Sequence, residues 1–154
     1  AVAYPGTCLL EGTTLSVGRG TASPFLTLGA PHLDATRWVE ELSNAGLPGC
    51  LFREDWFTPG FEVAKDQLCH GLQLAITDRK SFDPLLTGVT MLQTVLKISD
   101  NPLWRKSGST FDILAGSSAL RRQLSQGMPV PDILETWKAD ETEFNRQRHP
   151  FLLY

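Results

Sequence analysis

The chain has 154 residues, a formal net charge of −3 and 42% hydrophobic residues, which fits one domain with a buried core. The acidic balance and the scattered lysines and arginines exclude the electrostatic footprint of a nucleic-acid binder. No apolar run approaches the ~20 residues of a membrane span, and no basic-then-apolar leader opens the chain, though a fragment or mature form would lack one too.

In chain order, the apolar pair Leu9-Leu10 runs into Glu11, and a polar, glycine-punctuated loop follows with Arg19 between Gly18 and Gly20. Chain ends are usually frayed, so a loop this site-like leads us to expect further sequence before it. Residues 25–28 read as a short strand ending at Gly29 and Pro31. Asp34 caps a helix over residues 35–45, with Trp38, Leu42 and Ala45 on one face and Gly46 just past its end. Residues 49–53 read as the next strand, leading into an aromatic and acidic loop over 54–60.

Residues 71–77 form the clearest strand, apolar enough to be central in a sheet. Asp83 as N-cap with Pro84 at the first helical position starts the strongest helix, on which Leu85, Val89, Leu92 and Leu96 follow at helical spacing. Residues 101–108 read as loop, and short helices are expected over 111–114 and 118–126. A last helix spans about 131–147 with Ile133, Leu134, Trp137 and Phe144 inward, and the apolar tail 151–154 is expected to pack on the domain. Arg121-Arg122 reads as a solvated helix face. Strands early and helices late predict a single α+β (or α/β) domain, a small mixed sheet packed against several helices.

Chemistry concentrates in the opening. The stretch Ser16-Val-Gly-Arg-Gly-Thr21 is neither G-x-G-x-x-G, since position 23 is serine, nor a phosphate-binding Walker loop. Two readings fit it. Either Arg19 pairs with a surface carboxylate across a tight turn, or flanking glycines let the backbone approach a ligand while Arg19 presents a planar fork to a carboxylate. Glu11 fits as the partner of Arg19, as a hydrogen-bonding group for sugar hydroxyls, or as an acid/base group. Glycoside hydrolysis pairs two carboxylates, about 5–5.5 Å apart for retention or about 6.5–9.5 Å for inversion, and Glu54, Asp55 and Asp78 are the candidate companions.

Asp78 closes the central strand, where a carboxylate suits either a cleft or a turn. Trp56-Phe57 reads as core, with sugar stacking as the other role. His32 follows a proline in a turn, and His149 sits by the tail. Cys8, Cys50 and Cys69 show no metal-binding spacing; Cys69 and His70 are adjacent and so point to opposite faces of a strand. Buried free thiols are expected, a single disulfide of undetermined pairing being the alternative. No cofactor or metal is expected.

Tyr4-Pro-Gly, Leu9-Leu-Glu-Gly-Thr13, Ser16-Val-Gly-Arg-Gly-Thr21, Pro24-Phe25 and Gly29-Ala-Pro31 together resemble the NamZ-type exo-β-N-acetylmuramidases. So do Leu47-Pro-Gly49, Phe57-Thr-Pro59, Leu68-Cys69, Thr77-Asp-Arg79, Phe82-Asp-Pro84, Phe111-Asp112, Leu114-Ala-Gly116 and Leu152-Leu-Tyr154. These blocks occur in family order over essentially the whole chain, and they match the family's C-terminal domain only. The resemblance implies a larger N-terminal Rossmann-like domain, outside this chain, that carries the main catalytic carboxylates. It also implies removal of β-linked N-acetylmuramic acid from non-reducing ends of peptidoglycan fragments in a cleft between the two domains. An extracytoplasmic location (secreted, periplasmic or lipid-anchored) follows from the same resemblance.

On this basis Glu11, Ser16, Arg19 and Thr21 face the missing domain and, with Asp78, form the expected substrate-binding set; no catalytic residue is assigned. Muramic acid bears a lactyl carboxylate that Arg19 is expected to grip. The chain departs from the family at Thr14 (more often asparagine), His32 (commonly tryptophan) and Ala75 (frequently a strand histidine), the last removing a sugar contact. The expected partners are muramyl sugars and the N-terminal domain, and the domain alone is expected to be inactive. A non-catalytic carbohydrate- or cell-wall-binding module and a purely structural interaction domain are the alternatives.

Overall fold

Asp83 and Pro84 start the helix around which the domain is built. In the computed structural model, which describes residues 1–100 and 103–152, Asp83 Oδ1 accepts the N–H groups of Leu85 and Leu86, both at 3.0 Å. Asp83→Ala is expected to cost about 1 kcal/mol, read as a lower denaturation midpoint at unchanged slope. The helix it caps, Pro84–Ile98, has Val89, Met91, Leu92 and Val95 fully buried, whereas Leu85 is exposed. Its buried threonines are satisfied within the helix: Thr90 Oγ1 donates to Leu86 O at 2.7 Å and Thr94 Oγ1 to Thr90 O at 2.9 Å.

In chain order the elements before it are α1 (Tyr4–Thr7), β1 (Thr27–Ala30), α2 (Ala35–Asn44), β2 (Cys50–Phe57) and β3 (Cys69–Ile76), so Pro84–Ile98 is α3. After it come α4 (Ser109–Leu114), α5 (Ala119–Ser125), α6 (Val130–Glu135) and α7 (Lys138–Arg148). The strand order is β1-β3-β2, with β3 central as expected. Both pairings are antiparallel, so the sheet is not mixed. The physical reason lies in the order: α2 joins two strands that run the same way, but β3 lies between them and opposes both. Leu28, Trp38, Leu42, Leu72, Val89 and Leu92 share one core, while Leu51, Arg53 and Ala75 leave the other sheet face exposed. The result is an α+β domain.

Several expected boundaries move. Strand β1 begins at Thr27, because Phe25 takes φ +66°, outside the extended region. Residues 54–57, expected as loop, complete β2: Trp56 pairs with His70 and Phe57 with Cys69. The expected last helix is two helices, α6 and α7. Ile133 is fully buried, and Leu134 and Trp137 pack on the core, but α7 buries nothing and Phe144 is 61% exposed. Only Ala139 and Phe144 are apolar in α7, too few to form an inward stripe, and Phe144 lies under Arg148 instead. Phe151 (83% exposed) and Leu152 (53%) do not pack on the domain as expected. Within the expected loop and tail, residues 101, 102, 153 and 154 lie outside the described residues.

Arg121 is not a solvated charge either. It clamps Asp112 bidentately at 2.8 and 2.7 Å, tying α5 to α4 and holding the Asp112 carboxyl below its usual range. The three cysteines are free, Cys8 half-buried and Cys50 and Cys69 buried. Cys50 and Cys69 stand at opposite ends of the β2–β3 ladder, roughly 20 Å apart at ~3.3 Å per residue, far beyond disulfide reach.

Candidate functional site

The opening residues are ordered by burial of their apolar members. Leu9 and Leu10 anchor a 3-10 turn, Cys8–Gly12, in the core, and this turn carries Glu11. The following loop is stitched to β1 by paired backbone bonds between Ser16 and Gly29 at 2.8 and 3.1 Å. Gly18 and Gly20 take φ +70° and +85°, and a Cβ on either would strike backbone, Thr27 O at 2.5 Å or Gly60 N at 2.6 Å. Only glycine fits there, which fixes the direction of Arg19.

Arg19 Nη2 donates to Glu11 Oε1, so the surface-pair reading of this arginine is correct as far as it goes. Glu11 holds the Arg19 guanidinium above its ordinary value. A second carboxylate, Glu62 Oε2, lies 3.0 Å from Arg19 Nε. That contact is ionic only: the geometry is not that of a hydrogen bond, and Nε is buried without an acceptor. The guanidinium also sits 5.0 Å from the Phe25 ring centroid, and Phe25 meets Tyr4 edge-on.

Ser16 and Thr21 shape the loop. Ser16 Oγ accepts from Gly18 N at 3.2 Å, and Thr21 Oγ1 donates to Gly18 O at 2.6 Å while accepting from Ser23 N at 3.3 Å. Ser16 still lines a small hollow of about 10 Å³ with Glu11, Arg19 and Glu62; Thr21 does not. An open groove of about 600 Å³ continues outward, walled by Glu11, Glu62, Val63, Arg105, Thr110 and Leu114.

Asp78 is not brought to this groove. It closes the turn at the far end of the β2–β3 ladder, accepting from Lys80 N at 3.0 Å and Ser81 Oγ at 2.7 Å, and these bonds hold its carboxyl below the usual range. Glu54 and Asp55 do not line the groove either, so Glu62 is the carboxylate that Glu11 meets there. Glu54 accepts from Thr36 at 2.8 Å and lies 2.8 Å from His70 Nε2; His70 foremost, then Thr36, lowers its carboxyl below the ordinary value. Trp56, expected in the core, is 57% exposed and stacks on His70 at 4.0 Å. Among the described residues no group of three or more His, Cys, Asp or Glu is arranged to hold a metal ion.

Two charged groove residues escaped the sequence reading: Glu62 and Arg105. Arg105 Nη1 donates to the backbone oxygen of Glu11 at 3.2 Å. It reaches there because Thr14 N binds Leu103 O at 2.7 Å and Thr13 bridges Trp104, laying the segment along the opening loop. Left-handed Lys106 (φ +47°) and Ser107 (φ +57°) follow it. No local pattern marks either residue, since each gains its neighbours only through tertiary contacts. Chemically, the hollow and the groove it opens into together offer two guanidiniums and two carboxylates, suited to sugar hydroxyls and to a ligand carboxylate.

Comparison with known proteins agrees with this architecture. The family described as exo-beta-N-acetylmuramidase NamZ, C-terminal, matches residues 2–154. The peptidoglycan beta-N-acetylmuramidase NamZ of Bacillus subtilis (strain 168) is 37% identical over 151 residues, 98% of this chain and 36% of that protein. The chain thus spans about a third of the length of this curated relative. Two crystal structures of DUF1343 family proteins from Bacteroides fragilis share the fold. One has a TM-score of 0.86 at 24% identity, covering 99% of this chain and 41% of that one. The other has a TM-score of 0.71 at 27% identity, covering 99% and 40%. The family match over nearly every residue and the 37% identity lead to one conclusion: the chain belongs to the NamZ C-terminal domain family.

Proposed function

We propose that this chain is the cleft-forming C-terminal domain of an exo-acting glycoside hydrolase that removes β-linked N-acetylmuramic acid from the non-reducing ends of peptidoglycan fragments. The observation that carries this reading is the open, charged groove walled by Glu11, Glu62 and Arg105 in a member of this family. Glu11, Arg19 and Ser16 line the substrate side, with Thr21 shaping the loop that presents them; Asp78 belongs to a separate turn. The catalytic carboxylates belong to a Rossmann-like N-terminal domain of the same protein. Glu11 supports that division, because its carboxylate is engaged by Arg19 and is poorly placed to shuttle a proton. The substrate class implies an extracytoplasmic location.

The test is release of muramic acid from a chromogenic muramide. The chain alone is expected to give no turnover, and the chain with the N-terminal domain supplied in trans is expected to restore it. Robust hydrolysis by the chain alone would overturn the division of labour. In the two-domain protein, Arg19→Ala is expected to weaken muramate binding roughly tenfold or more, the worth of a charge-assisted hydrogen bond. Unchanged affinity would remove Arg19 from the site. A non-catalytic carbohydrate-binding module is the second reading, favoured by the exposed Trp56 ring. Saturable binding of a muramic-acid disaccharide without turnover in trans would select it.

A further inference from the structure

The four charged groups that line the small hollow, Glu11, Arg19, Glu62 and Arg105, are not equivalent. Glu11 binds Arg19 through its side chain and Arg105 through its backbone carbonyl. Glu62 is the loose member: its side chain is 50% exposed, and it approaches Arg19 Nε without hydrogen-bond geometry, leaving that N–H buried and unmet. A buried guanidinium N–H with no aligned acceptor is costly and favours any better-placed acceptor.

Glu62 also rides on a weakly held segment. No residue from Gly60 to Leu68 is buried. The segment is tied by Gly60 N to Arg19 O at 3.0 Å and otherwise by its own turns, Lys65 N to Glu62 O at 3.3 Å and Asp66 N to Pro59 O and Gln67 N to Ala64 O, both 3.0 Å. Glu62, Ala64 and Asp66 take φ +67°, +58° and +59°. Non-glycine residues in this region store strain, and such strain collects at ligand clamps and switching segments.

We propose that Arg19 and Arg105 form a carboxylate site in which Glu62 holds the place of the ligand's own carboxylate and leaves when the ligand arrives. Charge balance supports the exchange. Two guanidiniums and two carboxylates sum to zero; a third carboxylate beside Glu62 would leave an excess negative charge, whereas replacement of Glu62 preserves neutrality. Glu62 returns to water at little cost, because half-exposed ion pairs contribute little. The inference deepens the muramidase reading and rests on it for the identity of the ligand, the lactyl group of muramic acid. An N-acetylglucosamine unit lacks that group and cannot displace Glu62, so Glu62 becomes a specificity-determining residue.

The test uses D-lactate as the probe and the Nε–Hε resonances of Arg19 and Arg105 in this chain as the readout. D-lactate is expected to shift both signals saturably, and lactamide, its uncharged analogue, to shift neither. Glu62→Gln removes the competitor and is expected to tighten D-lactate roughly twofold to fivefold, the range of an exposed ion pair. Arg105→Ala is expected to weaken it about tenfold. D-lactate affinity that is unchanged or lower in Glu62→Gln, no binding by either form, or an Arg105 signal that never moves would each overturn the proposal. The remaining amide spectrum reports that the variants fold. Because this readout needs no turnover, the two readings fail separately: the muramidase reading fails in the turnover assay whatever D-lactate does, and the carboxylate site fails in these spectra whatever the turnover assay gives.

Discussion

Replacing Trp38 with alanine is expected to cost about 3–5 kcal/mol of folding free energy, the usual cost of emptying a large aromatic site. Trp38 is fully buried on α2, where it meets α3. Its indole Nε1 donates to Thr94 Oγ1 at 3.0 Å, and that hydroxyl donates in turn toward Thr90 O and Met91 O. Truncation therefore removes both the apolar contact and a side-chain bond joining the two helices. The loss is a large part of the about 5–15 kcal/mol that holds a typical domain together. Trp38→Phe keeps most of the volume and is expected to lose much less, about 1–2 kcal/mol. Denaturant midpoints read both, and a Trp38→Ala cost below about 1 kcal/mol would mean that the site collapses to fill itself.

Gly6→Ala is the second large effect. A Cβ there would stand 1.8 Å from Pro84 O, a backbone atom at the start of α3. The reciprocal position, Gly88, would place its Cβ 2.5 Å from Gly6 O. The two glycines let α1 and α3 touch backbone to backbone, and either methyl group forces them apart. The expected cost is about 3 kcal/mol, the upper part of the range for overpacking. Gly88→Ala makes the sharper test, because alanine in a helix interior is worth about 1 kcal/mol over glycine. Destabilisation at that site means that close approach outweighs propensity, whereas a gain in stability would refute the contact. Once one substitution has displaced α1, the second has little left to break, so the double variant is expected to lose clearly less than the sum.

What was readable in advance was mostly local. Asp34 and Asp83 cap their helices as expected because a cap is a matter of three or four neighbouring residues. The apolar run of β3 announced a central strand, and β3 is central, although only its Leu72 and Leu74 face is buried while Ala75 on the other face is exposed. Trp56 and Phe57 were misread as loop because their strand character comes from pairing with His70 and Cys69. Phe144 was misplaced because one aromatic at helical spacing looks inward until the polarity of its whole helix is weighed. In the groove, Glu11 and Arg19 stand close in sequence on a loop of evident chemistry, so their pairing was within reach. Arg105 lies 94 residues from Glu11, and Glu62 sits in a connection with no sign of its destination. Half of the charged set was therefore legible, and the rest is a product of the fold.

The free cysteines carry a last consequence. Disulfide exchange and alkylation proceed through the thiolate. Burial pushes all three thiols above their ordinary value, and the charge of Glu11 adds to this at Cys8. While the chain stays closed, the reactive form of each is scarce. Modification of the buried Cys50 and Cys69 then counts how often their own regions open. Cys69 waits on the central strand, so its chemistry keeps time with disruption of the sheet itself. Cys8, half-buried in the 3-10 turn that carries Glu11, needs no such opening and is expected to react first of the three.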